Sequence, residues 1–513
     1  MIRSKIADIL IRLNENEPEK ILITEGEHQA TVAEIYTGAV ALAQNLTING
    51  FQMGDKVVIA TAPNGDFVKI IYALIFLQAT VAIIDPEMGR DNYKSKLKQI
   101  NPKWAFVDSR LLLLQEHPVL RYFYLKKSKS NPYFPYMPSA KMIACGRWLP
   151  LVQKKMWLKK LFENTNQKEV KWDATNEEND ISDFLITYTS GTIDEPKGVV
   201  HSFDSLSNSL QLIGNQLDAS RENLVATYLP HYMLIAISVK IPAILYNPKL
   251  KAVEKLTFFE KNKVSTIMGP PSDFIQMILY CENNKSQFPD TMKHILLGSA
   301  PVTRRFLQRL SDVLPTHTRI TCLYGMTENL LIATIDGRFK KDYDCEGDLL
   351  GIPVENINIK SIDNEIFIKS NQLFSRYFHL DSRSDFHATG DLGDFDKNAF
   401  LILKGRKKDM IIRRNLNIYP AIYEATINRI DGVTEAVLVG IYDDSIHDEK
   451  VFLVIEGENL KEEYILNKLK SGAYSIDNEA LPDKILFMTL PRSGRQHKVN
   501  KEAIRDYIKK NKL

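Results

Sequence analysis

Lys56-Val-Val-Ile-Ala60 is a short apolar run without polar alternation, the pattern of a strand covered on both faces. The helix-length run Asp66 to Leu77 follows, then a second apolar run, Val81-Ala-Ile-Ile84, closed by Asp85-Pro86. The unit then repeats, with Asn92–Ile100 of helical character and Trp104-Ala-Phe-Val107 again strand-like. Such repetition predicts a parallel sheet with helices on its faces. Upstream, Val32, Ile35, Tyr36 and Val40 recur at three- and four-residue spacing, a helix that Gly50 ends. The longest apolar stretch, Val68 to Ile84, is broken by Lys69 and Gln78. It is too short to span a bilayer and reads as core.

The alternation resumes between Ile181 and about Leu331, where Ser265-Thr-Ile-Met268 leads into Pro271–Tyr280 and His294-Ile-Leu-Leu297 into Thr303–Leu314. Near Leu350 the texture changes to short β-rich runs: Ile357-Asn-Ile-Lys360, Glu365-Ile-Phe-Ile-Lys369 and Phe400-Leu-Ile-Leu403. With turn residues between them, these predict a small barrel or meander. A last set has Tyr419–Arg429 and Lys461–Lys470 as helices and Ala436–Gly440 and Val451–Ile455 as strands. Gly405-Arg-Lys-Lys-Asp409 interrupts two β-rich stretches and marks the boundary. The expected class is α/β. Residues 1–404 form a large domain of two βα-type subdomains plus a small β-barrel, and residues 405–513 a smaller α+β domain.

With 513 residues, 44% apolar and 25% charged, the chain can bury a large core without staples. Lys and Arg total 66 against 63 Asp and Glu, a net charge of +3 that excludes a globally basic nucleic-acid binder. Cys145, Cys281, Cys322 and Cys345 lie far apart, which excludes a zinc ribbon or disulfide framework and suits a reducing compartment. The N-terminus has no signal-length apolar run, so a cytoplasmic location is expected. From His117 to Phe162 there are ten basic residues and no acid, with aromatics that include Tyr122, Phe123, Tyr124, Trp148 and Trp157. Trp148–Phe162 reads as an amphipathic helix with Lys154, Lys155 and Lys159 on one side and Val152, Met156 and Leu161 on another. Segment 117–162 is either a peripheral contact for anionic membrane or a solvated excursion whose aromatics pack on the domain beneath.

Ile186-Thr-Tyr-Thr-Ser-Gly-Thr-Ile-Asp-Glu-Pro-Lys-Gly-Val-Val-His-Ser202 carries the first chemical signal. A strand-like run enters a loop of hydroxyls and glycines whose N–H and O–H groups can converge on phosphate oxygens, and Lys197 adds positive charge. The Walker spacing is absent. Thr189-Ser-Gly-Thr192 with Pro196-Lys-Gly198 resembles the phosphate loop of the adenylate-forming superfamily: acyl-CoA synthetases, luciferases and peptide-synthetase adenylation domains. The other signatures follow in order: Gly298-Ser-Ala-Pro301, Leu323-Tyr-Gly-Met-Thr-Glu328, Thr389-Gly-Asp391, Gly405-Arg-Lys-Lys-Asp-Met-Ile411, and Leu490-Pro-Arg492 with Lys498-Val-Asn-Lys501. The resemblance covers nearly the whole chain and is strongest to an AMP-forming acyl-CoA synthetase.

The resemblance implies a reaction and a division of labour. A carboxylic acid, taken as a fatty acid, attacks the α-phosphorus of ATP and releases pyrophosphate. The acyl group then passes to CoA or to the phosphopantetheine of a carrier protein acting in trans. Thr189, Ser190, Gly191, Thr192, Lys197 and Gly198 would hold phosphates, while Ser299, Ala300, Pro301, Tyr324 and Gly325 would surround the adenine. Thr327 would contact the α-phosphate, Glu328 would hold Mg²⁺, and Asp391 would accept from the ribose hydroxyls, with Arg406 against the nucleotide. Lys498 would bridge the carboxylate and the α-phosphate, and Lys408 would be the hinge of a mobile C-terminal domain. His231, Tyr232 and Gly298 would border the acyl group. Nearby Met233, Leu234, Ile235, Ile237 and Met268 fit an acyl chain or plain core equally. Singly these residues have ordinary readings: Asp391 as a turn cap, Glu328 as a helix N-terminal acid.

Three departures stand out. Asp194 and Glu195 place carboxylates in the phosphate loop, Asn415 stands where a glycine is usual, and His497 replaces a glycine before Lys498. They leave two other expectations open: a ligase that stops at acyl-AMP or closes a β-lactone, and a non-catalytic, membrane-docked nucleotide binder.

Overall fold

The computed structural model describes residues 5–61, 64–84, 90–127, 140–152, 156–163, 183–188, 197–217, 223–378, 380, 383–413, 416–443, 446, 448–470, 480–493 and 498–511. In its first large sheet the strand Lys56–Ala60 lies between Thr80–Ile83 and Trp104–Asp108, parallel to both, with Val58 opposite Ala82 and Ala105. The full order is Arg376–Tyr377, Gly198–Ser202, Asp183–Tyr188, Thr80–Ile83, Lys56–Ala60, Trp104–Asp108, Lys141–Cys145, Met156–Trp157. Val57, Val58, Ile59 and Val81 are all buried, as strands covered on both faces require. The helices Val32–Ile48 and Gly65–Phe76 cover one face, and both start on side-chain caps. Thr31 accepts from the Glu34 N–H at 3.2 Å and Asn64 from that of Phe67 at 2.9 Å. Gly50 ends the first of these helices in the left-handed region, φ +88°.

Trp104 anchors this sheet. Its ring centroid lies 5.5 Å from that of Phe51, and its Nε1 donates to the buried Asp55 at 3.1 Å. Lys103 pairs with the same carboxylate at 2.6 Å. Trp104→Ala should cost about 3–5 kcal/mol, because it opens a cavity and strips a buried carboxylate of a donor. Trp104→Phe should cost less. Urea unfolding followed by near-ultraviolet circular dichroism measures both, and an unchanged midpoint for the alanine variant would refute the assignment.

The second sheet holds the parallel strands Val225–Thr227, Thr266–Gly269, His294–Leu297 and Arg319–Met326 side by side. Asn329–Asp336 returns antiparallel to the last of them. Asp348–Pro353 pairs with Asn329–Asp336 on one side and Leu401–Arg406 on the other. The later strands, His387–Phe395, Glu365–Ser370 and Ile357–Ile362, therefore extend the same sheet as an antiparallel meander. Of the barrel-or-meander expectation, the meander is what forms, and it is continuous with the second sheet because Asp348–Pro353 is bonded along both edges.

Past Leu401–Arg406 a 3₁₀ turn, Lys407–Asp409, leads to the strand Ile411–Arg413 and a separate small core. There Val433–Asp443, Asp448–Gly457 and Lys484–Phe487 form one sheet, packed with the helices Pro420–Ile427, Glu462–Lys470 and Lys501–Lys510. The amphipathic helix expected over Trp148–Phe162 is a correction. Met156 and Trp157 pair with Ile143 and Ala144 as an edge strand, and among the described residues of this stretch only Leu158–Leu161 is helical. The open edge of Lys141–Cys145 offers backbone partners that an isolated surface helix lacks. Lys154 and Lys155 lie outside the described residues. Among the described residues no helix is long and apolar enough to cross a membrane.

Candidate active site

The C-terminal ends of Thr266–Gly269, His294–Leu297 and Arg319–Met326 converge, the edge at which open α/β sheets bind ligands. Gly298 donates from its N–H to Gly269 at 3.3 Å and opens the turn through Ser299, Ala300 and Pro301. Ser299 adopts φ +67° and hydrogen-bonds the buried Tyr232, whose ring is 4.2 Å from that of His231. Gly325 is demanded sterically: a Cβ there would lie 2.1 Å from the Leu330 carbonyl oxygen. That contact lets the hairpin fold tightly enough to bring Tyr324 and Glu328 to one side.

Asp391 is buried beside them. One carboxylate oxygen accepts from the Tyr324 hydroxyl at 2.5 Å, and the other lies 2.6 Å from Arg406 Nε. Antiparallel register sets Asp391 opposite Arg406, and the Asp391 N–H donates to Thr389 Oγ1 at 3.0 Å. Burial raises the Asp391 pKa, while Arg406 and Tyr324 oppose the rise. Lys498 reaches this group from the hairpin Arg492–Ser493 and Lys498–Val499. The residue keeps contact with solvent, yet the surrounding protein and then the like charge of Arg406 lower its pKa, against Asp391. Tyr324, Asp391, Arg406 and Lys498, distant along the chain, thus meet in one place.

A second cluster adjoins the first. Tyr377 donates from its hydroxyl to Glu328 Oε1 at 2.9 Å, and Lys197 Nζ stands 5.6 Å over the Tyr377 ring. His201 Nε2 lies 2.8 Å from the Thr327 carbonyl oxygen. A carbonyl can only accept, so that nitrogen carries the proton. Burial pushes the His201 imidazole down to about 4, which keeps it neutral near pH 7. Gly198 permits close packing, because a Cβ there would sit 2.9 Å from Phe378 Cβ. Among the described residues no group of three His, Cys, Asp or Glu side chains could hold a metal ion. Glu328 is a hard carboxylate of the kind that would hold Mg²⁺ together with substrate phosphates.

Other expected residues are placed less centrally. Lys408 sits in the turn Lys407–Asp409, whose flanks are tied to opposite sides: Lys407 to Glu365 at 2.7 Å and Asp409 to Arg505 at 3.2 Å. Met233, Ile235, Ile237 and Met268 are buried in the largest hydrophobic core. Thr189, Ser190, Gly191 and Thr192 lie outside the described residues, as do Asp194, Glu195, Asn415 and His497. His201 and Tyr377 were not anticipated. His201 follows the phosphate-loop motif by three residues, which is a weak signal, and Tyr377 had none. A separate cavity of about 400 Å³, lined by residues such as Glu25, Asp66 and Phe162, shares no residue with these clusters. Its Lys69 is already paired with Glu34 at 2.7 Å.

Comparison with known proteins places the chain in a family and a fold. The AMP-binding enzyme family matches residues 12–378. The 2-succinylbenzoate–CoA ligase of Bacillus cereus (strain Q1) is 21% identical over 511 residues, 94% of this chain and 95% of the relative. Among solved structures, the o-succinylbenzoate CoA synthetase of Bacillus subtilis with its acyl-adenylate intermediate superposes with a TM-score of 0.75 at 19% identity, covering 97% of this chain and 98% of that one. The same enzyme with ATP and magnesium ion gives 0.72 at 19% identity, covering 94% and 96%. An amide bond synthetase from Marinactinospora thermotolerans gives 0.79 at 15% identity, covering 98% and 99%. With the family match spanning most of the larger domain and the fold shared from end to end, the chain belongs to the AMP-binding enzyme family, within the adenylate-forming superfamily.

Proposed function

We propose that the protein is an AMP-forming acid–thiol ligase that activates a carboxylic acid with ATP and passes the acyl group to CoA. One observation carries the reading: Lys498, near the end of the chain, stands within electrostatic reach of Asp391 and Arg406. An acid oxygen attacks the α-phosphorus, the bond to the bridging oxygen of pyrophosphate breaks, and an acyl-adenylate results. Charge accumulates on oxygens in that step, so positioned cations do most of the work. Lys498 neutralises the attacking carboxylate and the α-phosphate, Arg406 and Asp391 hold the ribose, and Lys197 and Gly198 complete the loop around the outer phosphates. Mg²⁺ bound by Glu328 and the phosphates would supply further charge neutralisation.

Residues 405–513 act as the moving domain, with Lys408 as the pivot between the ion pairs at Lys407 and Asp409. A thiol then attacks the acyl carbon and AMP leaves. The reaction suits a cytoplasmic enzyme with ATP, Mg²⁺ and CoA; a carrier-protein thiol in trans is the other acceptor of the same chemistry. Met233, Ile235, Ile237 and Met268 are core, which adds no support to the fatty-acid expectation. The names of the relatives favour an aromatic acid instead. A pyrophosphate-exchange screen from acetate to long-chain and aromatic acids, with and without CoA, tests the reading. Exchange with an acid, and AMP release raised by CoA, is expected. Exchange without CoA-dependent turnover would favour an acyl-AMP or lactone product, and no exchange with any acid would end the proposal.

Tyr377 acts on this reaction through Glu328. Tyr377→Phe keeps the ring under Lys197 but deletes the donor to Glu328, and should raise the Mg²⁺ concentration for half-maximal rate by about 10–100-fold. Thermal stability should barely change. A magnesium titration of pyrophosphate exchange measures this, and a curve that overlays wild type would remove Tyr377 from the site.

A further inference from the structure

The turn Thr327–Glu328 joins the strands Arg319–Met326 and Asn329–Asp336, whose register sets Met326 opposite Asn329. It belongs to the second sheet, yet it is held from the first. His201 donates from Nε2 to the Thr327 carbonyl at 2.8 Å. The Phe374 N–H donates to the Glu328 carbonyl at 2.8 Å, and Tyr377 to the Glu328 carboxylate at 2.9 Å. The segment carrying Phe374 and Tyr377 is bonded in turn to the strand Gly198–Ser202. There the Ser375 N–H donates to the Val200 carbonyl and the Phe378 N–H to the Gly198 carbonyl, both at 2.7 Å. His201 lies in that same strand, which begins directly after Lys197. One short strand therefore carries both the phosphate-loop lysine and the side chain that grips the turn of Glu328.

As a mere filler of space, His201 is a poor choice. It is 1% exposed, and its Nδ1 is buried with no hydrogen-bond partner among the described residues. An apolar ring would occupy the volume without leaving an acceptor unpaired. What histidine adds is the Nε2 donor at the far edge of a stiff ring. Nor is it placed to act as a base, because one nitrogen is committed to a carbonyl and the other is closed off from solvent.

We infer that His201 is a positioning residue that fixes the separation of Lys197 and Glu328, so that both meet the phosphates of one nucleotide. This rests on the functional reading above, in which ATP occupies the site. Groups that stabilise developing charge must be held closely, and a displacement of about 1 Å can cost about 10²-fold in rate. Without the Nε2 donor, the turn of Thr327 and Glu328 loses a bond that registers it against the strand after Lys197.

Calorimetry with the full chain tests this without turnover. His201→Phe keeps an aromatic ring and deletes the donor. It should weaken binding of ATP with Mg²⁺ about tenfold or more, while AMP, which lacks the outer phosphates, should bind as before. Pyrophosphate exchange with an accepted acid should fall about 10–100-fold in kcat, with KM for the acid unchanged. Because a buried substitution can disturb folding, two amides make the decisive comparison. His201→Gln carries a nitrogen to the place of Nε2 and should recover most of the binding and the rate. His201→Asn carries one no further than Nδ1 and should resemble His201→Phe. ATP and AMP weakened alike, glutamine no better than asparagine, or wild-type values in His201→Phe would each overturn the inference. Failure of the functional reading looks different: no acid supports exchange in the wild type, while the contrast between ATP and AMP among the variants can still be measured.

Discussion

Lys498→Ala should lower the rate of acyl-adenylate formation on the order of 10²–10³-fold, the loss typical when one preorganised charge is removed from a developing oxyanion. Thermal stability should hardly move, because Lys498 keeps contact with solvent and has no buried packing to lose. The second half-reaction gives a sharper reading. If the domain turns away before the thiol enters, thioester formation from supplied acyl-adenylate should survive in the variant. The pH dependence has a definite sign. In the proposed reaction Lys498 works as the ammonium, so activity should fall as pH rises through its pKa. Because the site lowers that pKa, the alkaline fall should begin at a lower pH than an ordinary lysine would give. Lys498→Arg should remove this limb. Pyrophosphate exchange across pH, beside turnover of synthetic acyl-adenylate, measures all of this. Equal loss in both half-reactions would instead mean that the lysine holds the structure together.

Much of this site could be read from the sequence because its parts are local motifs. Tyr324, Glu328, Asp391 and Arg406 each sit in a short run whose neighbours fix their direction, such as Gly325 in its tight hairpin. Likewise Lys56–Ala60 declares itself by unbroken apolar residues, and the helix after it by its length. What stayed hidden depends on distant pairing. Tyr377 becomes relevant only because Arg376–Tyr377 pairs beside Gly198–Ser202, which brings its hydroxyl to Glu328. His201 has the same origin, reaching Thr327 across the interface of two sheets. Trp148–Phe162 misleads for the converse reason. Its three- and four-residue periodicity favours a helix, but the free edge of Lys141–Cys145 takes Met156 and Trp157 as a strand.

Asp391→Asn should raise the KM for ATP on the order of 10²-fold, with a smaller effect on kcat. The carboxylate is buried and carries two partners, Tyr324 at 2.5 Å and Arg406 at 2.6 Å. An amide of nearly the same shape keeps the packing but gives up the charge that orients Arg406 and the capacity to accept from two hydroxyls at once. Hydrogen bonds to a charged group are worth about 1.5–3 kcal/mol each, so losing one of the two has the stated size. A cycle with nucleotide analogues tests whether the ribose is the partner. If it is, 2′-deoxy-ATP should bind poorly to wild type, and the further loss in Asp391→Asn should be much smaller than with ATP. Additive losses would place the ribose elsewhere and leave Asp391 as a support for Tyr324 and Arg406. The cycle also bears on Lys498. Its ammonium is lowered by Arg406 and raised by Asp391, so neutralising Asp391 should shift the alkaline limb to still lower pH. A limb that stays in place would show that the two groups do not share a cleft during the reaction.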